Sequence, residues 1–171
     1  MSLTRVPEAE IEQNVFREVG KEWMLITAGT PKDFNTMTAS WGTFGVLWGR
    51  NVAVCFVRPT RHTFQFMESA SRFTLSFFSP EYHEALMYCG THSGRDVDKP
   101  KEAGITPISV EDSLQPAVTF AEARLVFVCK KIYADVFEAS HFVEHEVDQE
   151  IYPKRDHHTM YIGEITACLR G

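Results

Sequence analysis

Apolar and polar positions alternate along much of this chain, in short runs separated by Gly, Pro and charged clusters. "EWMLITAG" (22–29) is an apolar run closed by Gly29 and the turn-forming "TPKDFN", which predicts a buried strand. "FNTMTASWGTFG" (34–45) keeps strand period, with Thr36, Thr38 and Ser40 on one side and Met37, Ala39 and Trp41 on the other. It predicts a second strand, one that carries hydroxyls where a core strand would carry an all-apolar face. "VAVCFV" (52–57) predicts a third, with Trp48-Gly49-Arg50-Asn51 as the turn before it. After "RPT", Thr63, Phe66, Met67 and Ala70 recur at helical spacing. "RFTLSFF" (72–78) alternates as a strand. "PEYHEALMYCG" predicts a helix opening on Pro80, with Tyr82, Ala85, Leu86 and Cys89 on one face and Gly90 as its stop.

"SGRDVDKPKEAG" reads as a polar loop running into a short helix, followed by "ITPISV". "ARLVFVCKKIYADVF" (123–137) predicts a long strand or a strand pair, and "SHFVEHEVDQEI" a helix capped by Ser140. "TMYIGEITACL" (159–169) is the last strand. Many strands, few short helices and no regular βαβ alternation predict a mainly β fold, an antiparallel barrel with short helical inserts. Residues 1–171 read as one domain, with 1–14 as a polar lead-in; no repeat, low-complexity tract or linker divides them.

Composition narrows the partners. A net charge of -6, with no basic block to offset it, argues against nucleic acid. No apolar run approaches the roughly 18 residues of a membrane span, and the polar start "MSLTRVPEAE" does not read as a signal peptide. The four cysteines (Cys55, Cys89, Cys129, Cys168) are scattered and show no zinc-like spacing. Buried free thiols in a reducing cytoplasm account for them.

Three tempting patterns carry no weight. "GTFGVLWG" lacks the GxGxxG order and no helix follows it; "GTHSGRD" lacks the Lys-Ser/Thr of a P-loop. "HFVEH" (141–145) has the HxxEH spacing, in which two His on adjacent helical turns hold zinc beside a Glu. A third protein ligand would be needed, and a solvated helix face is the expectation, so no metal is assigned.

Three polar stretches, "NTMTASWG", "RPTRHT" and "CGTHSGRDVDK", each follow or interrupt a strand. Arg58 and Arg61 flank a Pro-Thr turn where a helix should begin. Guanidinium forks, backbone N–H groups, Thr60, Thr63 and His62 together could make an anion site there. Taken alone, the stretch serves equally as a helix start with two solvated arginines. Ser93, Gly94, Arg95 and Lys99 in the third stretch again combine short donors and bases around a glycine. A flat polar heterocycle with a phosphate tail would use all three: backbone groups for the ring edge, apolar contacts for its face, cations for the phosphate.

"NTMTASWG", "FVRPTRHT", "FTLSFF", "CGTHSGRDVDK" and the terminal "MYIGEI", in that order, resemble the flavin reductase-like family with the FMN-binding split-barrel fold, its flavoredoxin-like branch in particular. The resemblance covers residues 20 to 168. It implies an FMN-binding homodimer of split β-barrels with the flavin at the subunit interface. It also implies NAD(P)H as a transient reductant, and either flavin reductase activity or electron exchange with a redox protein partner. Carried over, it sets Thr36, Met37, Thr38, Ala39, Ser40 and Trp41 along the isoalloxazine. Phe56, Val57, Arg58, Arg61, His62 and Thr63 go to the ribityl chain and phosphate, and Ser93, Gly94 and Lys99 to the phosphate end. Asn35 and Cys89 stand in the same motifs. His158 occupies the position of the family's aromatic-His-basic triplet, but here the triplet is His157-His158-Thr159, without the basic residue. His158 is the candidate for shaping nicotinamide entry, and the choice between NADH and NADPH stays open.

Overall fold

The computed structural model describes residues 3–111 and 116–171. In chain order the elements are β1 (Thr4–Val6), α1 (Val15–Gly20), β2 (Met24–Thr30), β3 (Asp33–Ala39), β4 (Gly42–Leu47), β5 (Arg50–Val57), α2 (Thr63–Ser69) and β6 (Arg72–Phe77). They continue with α3 (His83–Thr91), α4 (Lys99–Ala103), β7 (Pro107–Val110), β8 (Ala117–Phe120), β9 (Leu125–Val136), α5 (His145–Ile151) and β10 (Thr159–Arg170). The main sheet runs β3-β2-β6-β9-β10-β5-β4, with β1 beside the far end of β10, and every pairing is antiparallel. Strand β9 is a single twelve-residue strand, and β7 and β8 form a separate hairpin.

Both faces of the central strands are buried, which is why they read as near-continuous apolar runs. Along β9, Leu125, Phe127 and Cys129 enter the barrel interior with Met24, Ile26, Phe73, Leu75, Phe77 and Tyr161. Val126 and Val128 point the other way, into a second core with Leu25, Leu86, Cys89 and Phe120. Strand period thus sorts one run into two cores. On β6 the outward positions are polar and are answered from the hairpin: Thr74 Oγ1 donates to Val118 O at 2.6 Å, and Ser76 Oγ meets Thr119 Oγ1 at 2.8 Å.

Several local expectations change. The run 34–45 is not one strand: the chain leaves β3 at Ala39, crosses through Ser40 and Trp41, and starts β4 at the opposite end of the sheet. Gly42 permits the crossing, since a Cβ there would lie 2.7 Å from Val54 O and 2.8 Å from Met24 Cε. The β4–β5 turn is only Trp48-Gly49, both left-handed (φ 54° and 69°), the twist that a two-residue hairpin loop demands. The lead-in is structured, because β1 pairs with β10 and Asn14 caps α1 by accepting from Phe16 N at 3.0 Å. Ser140 does not cap a long helix: residues Ala139–His141 form a 3-10 turn and α5 begins only at His145. His141 and His145 therefore do not share a helix face. Among the described residues no helix is long and apolar enough to cross a membrane.

Candidate functional site

Because β3 and β4 are consecutive in the chain but lie at opposite ends of the sheet, the barrel is joined there by chain rather than by a ladder of hydrogen bonds. At this split lies a pocket of about 210 Å³, walled by Met37–Trp41, Phe56, Arg58, Arg61 and His158. A larger hollow of about 300 Å³, between the N-terminal turn and β4, is mostly apolar and has no cation in its lining. The pocket at the split is the one lined by two arginines and a histidine.

Strand period decides what β5 delivers. Cys55 and Val57 are fully buried in the barrel, while Phe56 and Arg58 face the pocket. Phe56 packs on Phe137 with ring centroids 5.4 Å apart. Arg58 is already engaged: Nη1 donates to Asp156 Oδ2 at 2.8 Å, Nη2 to Ile151 O at 3.0 Å, and the guanidinium lies 5.2 Å from the Tyr152 ring centroid. That contact holds the Asp156 carboxyl below its usual range. Arg61 is the contrast. Its Nη2 is buried and finds no acceptor among the described residues, and burial lowers its pKa. A buried guanidinium nitrogen without a partner is uncommon and calls for an explanation.

The first and third polar stretches converge beside it. Asn35 Nδ2 donates to Thr63 Oγ1 at 2.8 Å, tying β3 to the start of α2. Gly94 lies against both Asn35 and His62, whose Nδ1 is also buried without a partner among the described residues. Burial, followed by the charges of Arg95 and Lys99, lowers the His62 pKa. Lys99 is buried, and its Nζ donates to Thr36 O and to Cys89 O, each at 2.8 Å. Burial and the Arg61 charge bring its pKa down to about 8. Cys89 contributes its carbonyl here, while burial pushes its thiol up to about 11. Ser93 sits at the turn into this stretch, its Oγ accepting from Arg95 N at 3.2 Å.

The threonine hydroxyls of β3 do not face the pocket. Thr36 Oγ1 meets Thr27 Oγ1 at 2.9 Å, and Thr38 Oγ1 donates to Leu86 O on α3. In a wall buried on both faces a hydroxyl must find an internal partner, and these two do. What β3 can offer a ligand is its edge. Lys99 reaches Thr36 O on the side away from β2, so the backbone groups of Thr38, two residues on, lie along that same edge.

His158 closes the other side. It is buried, its Nδ1 lies 2.8 Å from Tyr152 Oη, and its ring centroid lies 5.3 Å from that of Trp41. Burial, then the Arg58 charge, lowers its pKa to about 4, so it is neutral near pH 7. Trp41 itself stays 46% exposed, which leaves the pocket mouth open on its side. Sequence reading missed Tyr152 and Asp156. They lie in the link between α5 and β10, where no periodicity marks them. The His157 ring, beside His158, is held instead by Asp148 Oδ1 at 2.6 Å.

The site thus unites an apolar, partly aromatic wall, an open strand edge and buried cationic groups lacking an anion. Such a combination can receive a flat ring with an anionic tail. The chain belongs to the flavin reductase like domain family, whose model matches residues 16–170. A comparison with curated proteins finds no match. Among solved structures the chain is similar to an FMN-binding domain of a flavin reductases-like enzyme from Shewanella baltica (TM-score 0.69, 16% identity, 99% of this chain and 77% of that one). It is also similar to flavoredoxin of Desulfovibrio vulgaris (0.67, 20%, 97% and 77%). A third likeness is to the NADH:FAD oxidoreductase of Streptomyces globisporus in complex with NAD and FAD fragments (0.61, 19%, 88% and 74%). At these identities the likeness is one of fold, the split barrel of flavin reductase-like proteins.

Proposed function

We propose that this protein binds FMN at the barrel split and acts as an NAD(P)H-dependent flavin reductase, passing electrons to free flavin or another acceptor. The observation that carries the reading is the buried, partnerless Arg61 Nη2 opening on a pocket walled by Trp41 and Phe56. Bound FMN would supply the ring that accepts hydride and passes electrons on. Arg61 and His62 would donate to its phosphate, with Lys99 behind them and Gly94 leaving them room. Met37–Trp41 and Phe56 would pack on the ring, and the β3 edge at Thr38 would meet its polar rim. Arg58, held by Asp156, fixes the segment that carries Tyr152 and His158. Neutral His158 and exposed Trp41 would frame the face where a nicotinamide docks, so the chain's contribution is positioning and exclusion of water.

We further propose a homodimer. Trp48, Val46, Tyr133 and Val136 expose apolar surface around the β4–β5 turn and the end of β9, and Trp48 and Tyr133 already pair edge-to-face with ring centroids 6.4 Å apart. Aromatics of this kind are enriched where subunits meet. The four cysteines are free and buried, which supports the cytoplasmic reading.

Anaerobic mixing of the FMN-loaded protein with NADH and with NADPH tests the function. Bleaching of the visible flavin absorbance within seconds by either one is expected. If only dithionite bleaches the flavin, the reductase reading fails and an electron carrier of the flavoredoxin type, serving a redox protein partner, takes its place.

A further inference from the structure

Lys99 occupies an unusual position for an ammonium group. It opens α4 and is 3% exposed, yet no carboxylate pairs with it among the described residues. Asp98, the residue before it, turns its side chain to Lys101 N as a helix cap. The two acceptors that Lys99 has are carbonyls from different elements, Thr36 O on β3 and Cys89 O near the end of α3. Carbonyls satisfy its donors without neutralising its charge, and a buried charge without a counter-ion is strongly disfavoured. The other charges around it do not relieve this. Arg61 faces it as a cation, and the Cys89 thiol is protonated at neutral pH. His62 is under the charges of Arg95 and Lys99, which lower its pKa after burial, and of Asp33 and Asp96, which raise it. An anion held by Arg61 and His62 would supply the missing counter-charge.

We propose that Lys99 is a positioning residue rather than a phosphate ligand: its ammonium ties the open edge of β3 to α3, and occupation of the neighbouring anion site keeps that tie charged and closed. The proposal rests on the FMN reading for the identity of the anion. Lys99 already uses two of its three donors on the backbone, and the strand edge it holds is the one a ring would meet at Thr38. In the ligand-free protein burial and Arg61 bring the Lys99 pKa to about 8, so by pH 9 the ammonium is largely deprotonated. A bound anion raises that pKa again, and binding above pH 8 must then take up a proton.

Calorimetric titration of FMN and of riboflavin in buffers of different ionisation enthalpy reads this directly. At pH 9, FMN binding is expected to take up about 0.4 proton if the Lys99 midpoint rises from about 8 by one unit and about 0.9 if it rises by three, falling to about 0.1 at pH 7. Riboflavin, which lacks the phosphate, is expected to take up none. In protein carrying carbon-13 lysine, the Lys99 signal, identified by its loss in Lys99→Met, should titrate at least one unit higher with FMN bound than without. Lys99→Arg, which keeps a charge throughout and also lacks the Lys99 signal, should abolish the uptake. FMN binding with no proton uptake at pH 9, or an unmoved Lys99 midpoint, overturns the proposal and leaves the FMN reading standing. If FMN does not bind, the cofactor reading falls, and inorganic phosphate becomes the probe: an unmoved midpoint at saturating phosphate overturns the coupling as well.

Discussion

Gly94→Ala should damage this protein more than its position in a polar loop suggests. A Cβ at residue 94 would stand 2.0 Å from Asn35 Oδ1, 2.9 Å from Asn35 Cγ and 3.2 Å from His62 Cδ2. Asn35 is buried, and its Nδ2 holds Thr63 Oγ1 at 2.8 Å, so it cannot yield without breaking that bond. Losing a buried hydrogen bond costs about 1–3 kcal/mol. Forcing an extra methyl into a packed site costs about 1–3 kcal/mol. Stiffening of the unfolded chain by alanine returns about 0.4–1 kcal/mol. The expected net loss is about 1–5.6 kcal/mol with a centre near 3, the centre corresponding to roughly 6–12 °C in melting temperature for a chain of this size. Thermal and urea unfolding followed by circular dichroism would measure it, with Gly20→Ala as control, because a Cβ there meets nothing within 4 Å. Asn35→Ala removes the obstructing oxygen, so the double variant should be much more stable than the sum of the two losses implies. A Gly94→Ala protein that melts within a degree of the parent, or a strictly additive double variant, refutes the reasoning.

Arg61→Ala should narrow the affinity gap between FMN and riboflavin by about 1.5–3 kcal/mol, the range for hydrogen bonds to charged groups, as read by calorimetry. Arg58→Ala should leave that gap in place and instead loosen residues 151–156, seen as faster amide exchange there, because its partners are Asp156 and Ile151 O. His158 has a pKa near 4 in the folded protein against about 6.5 unfolded, so the unfolded chain binds the extra proton between those values. Its contribution to stability is present above pH 6.5 and is lost as pH falls towards 4. Chemical unfolding of His158→Gln should therefore show a smaller drop between pH 7 and pH 5 than the parent. Trp48→Glu should shift light-scattering mass from dimer to monomer; a parent protein that is monomeric with FMN bound would end the dimer proposal.

Much of the barrel was legible because strand period and turn chemistry act locally. The runs at 22–29, 52–57, 72–78, 123–137 and 159–169 all became strands, and Gly49 marks a hairpin turn. What escaped depends on distant partners. α1 is only six residues long and is held by Arg124, whose Nη2 reaches Glu18 and, at 2.6 Å, Glu22. The bend between β3 and β4 hides inside an unbroken alternation, because Gly42 matters for its contact with Val54 rather than for any local turn signal. The hydroxyls of Thr36 and Thr38 looked like ligand donors in one dimension; α3 and β2 claim them in three. Conversely, nothing near Arg61 or Lys99 in sequence shows that the Arg61 Nη2 and the Lys99 side chain are buried with no carboxylate paired to them among the described residues.

The two-residue crossing at Ser40-Trp41 has a consequence for how the molecule could be rewired. Thr4 and Arg170 are register partners on neighbouring strands, so a short linker could join the chain beside them and new ends could be opened between Ser40 and Trp41. Such a circular permutant would sever no ladder of the sheet, because β3 and β4 are not paired with each other. It would still cut one wall of the pocket in two. Holding the barrel together and holding a ligand are thus partly separable in this topology: the first is distributed over the ladders, while the second takes one of its walls from a covalent seam.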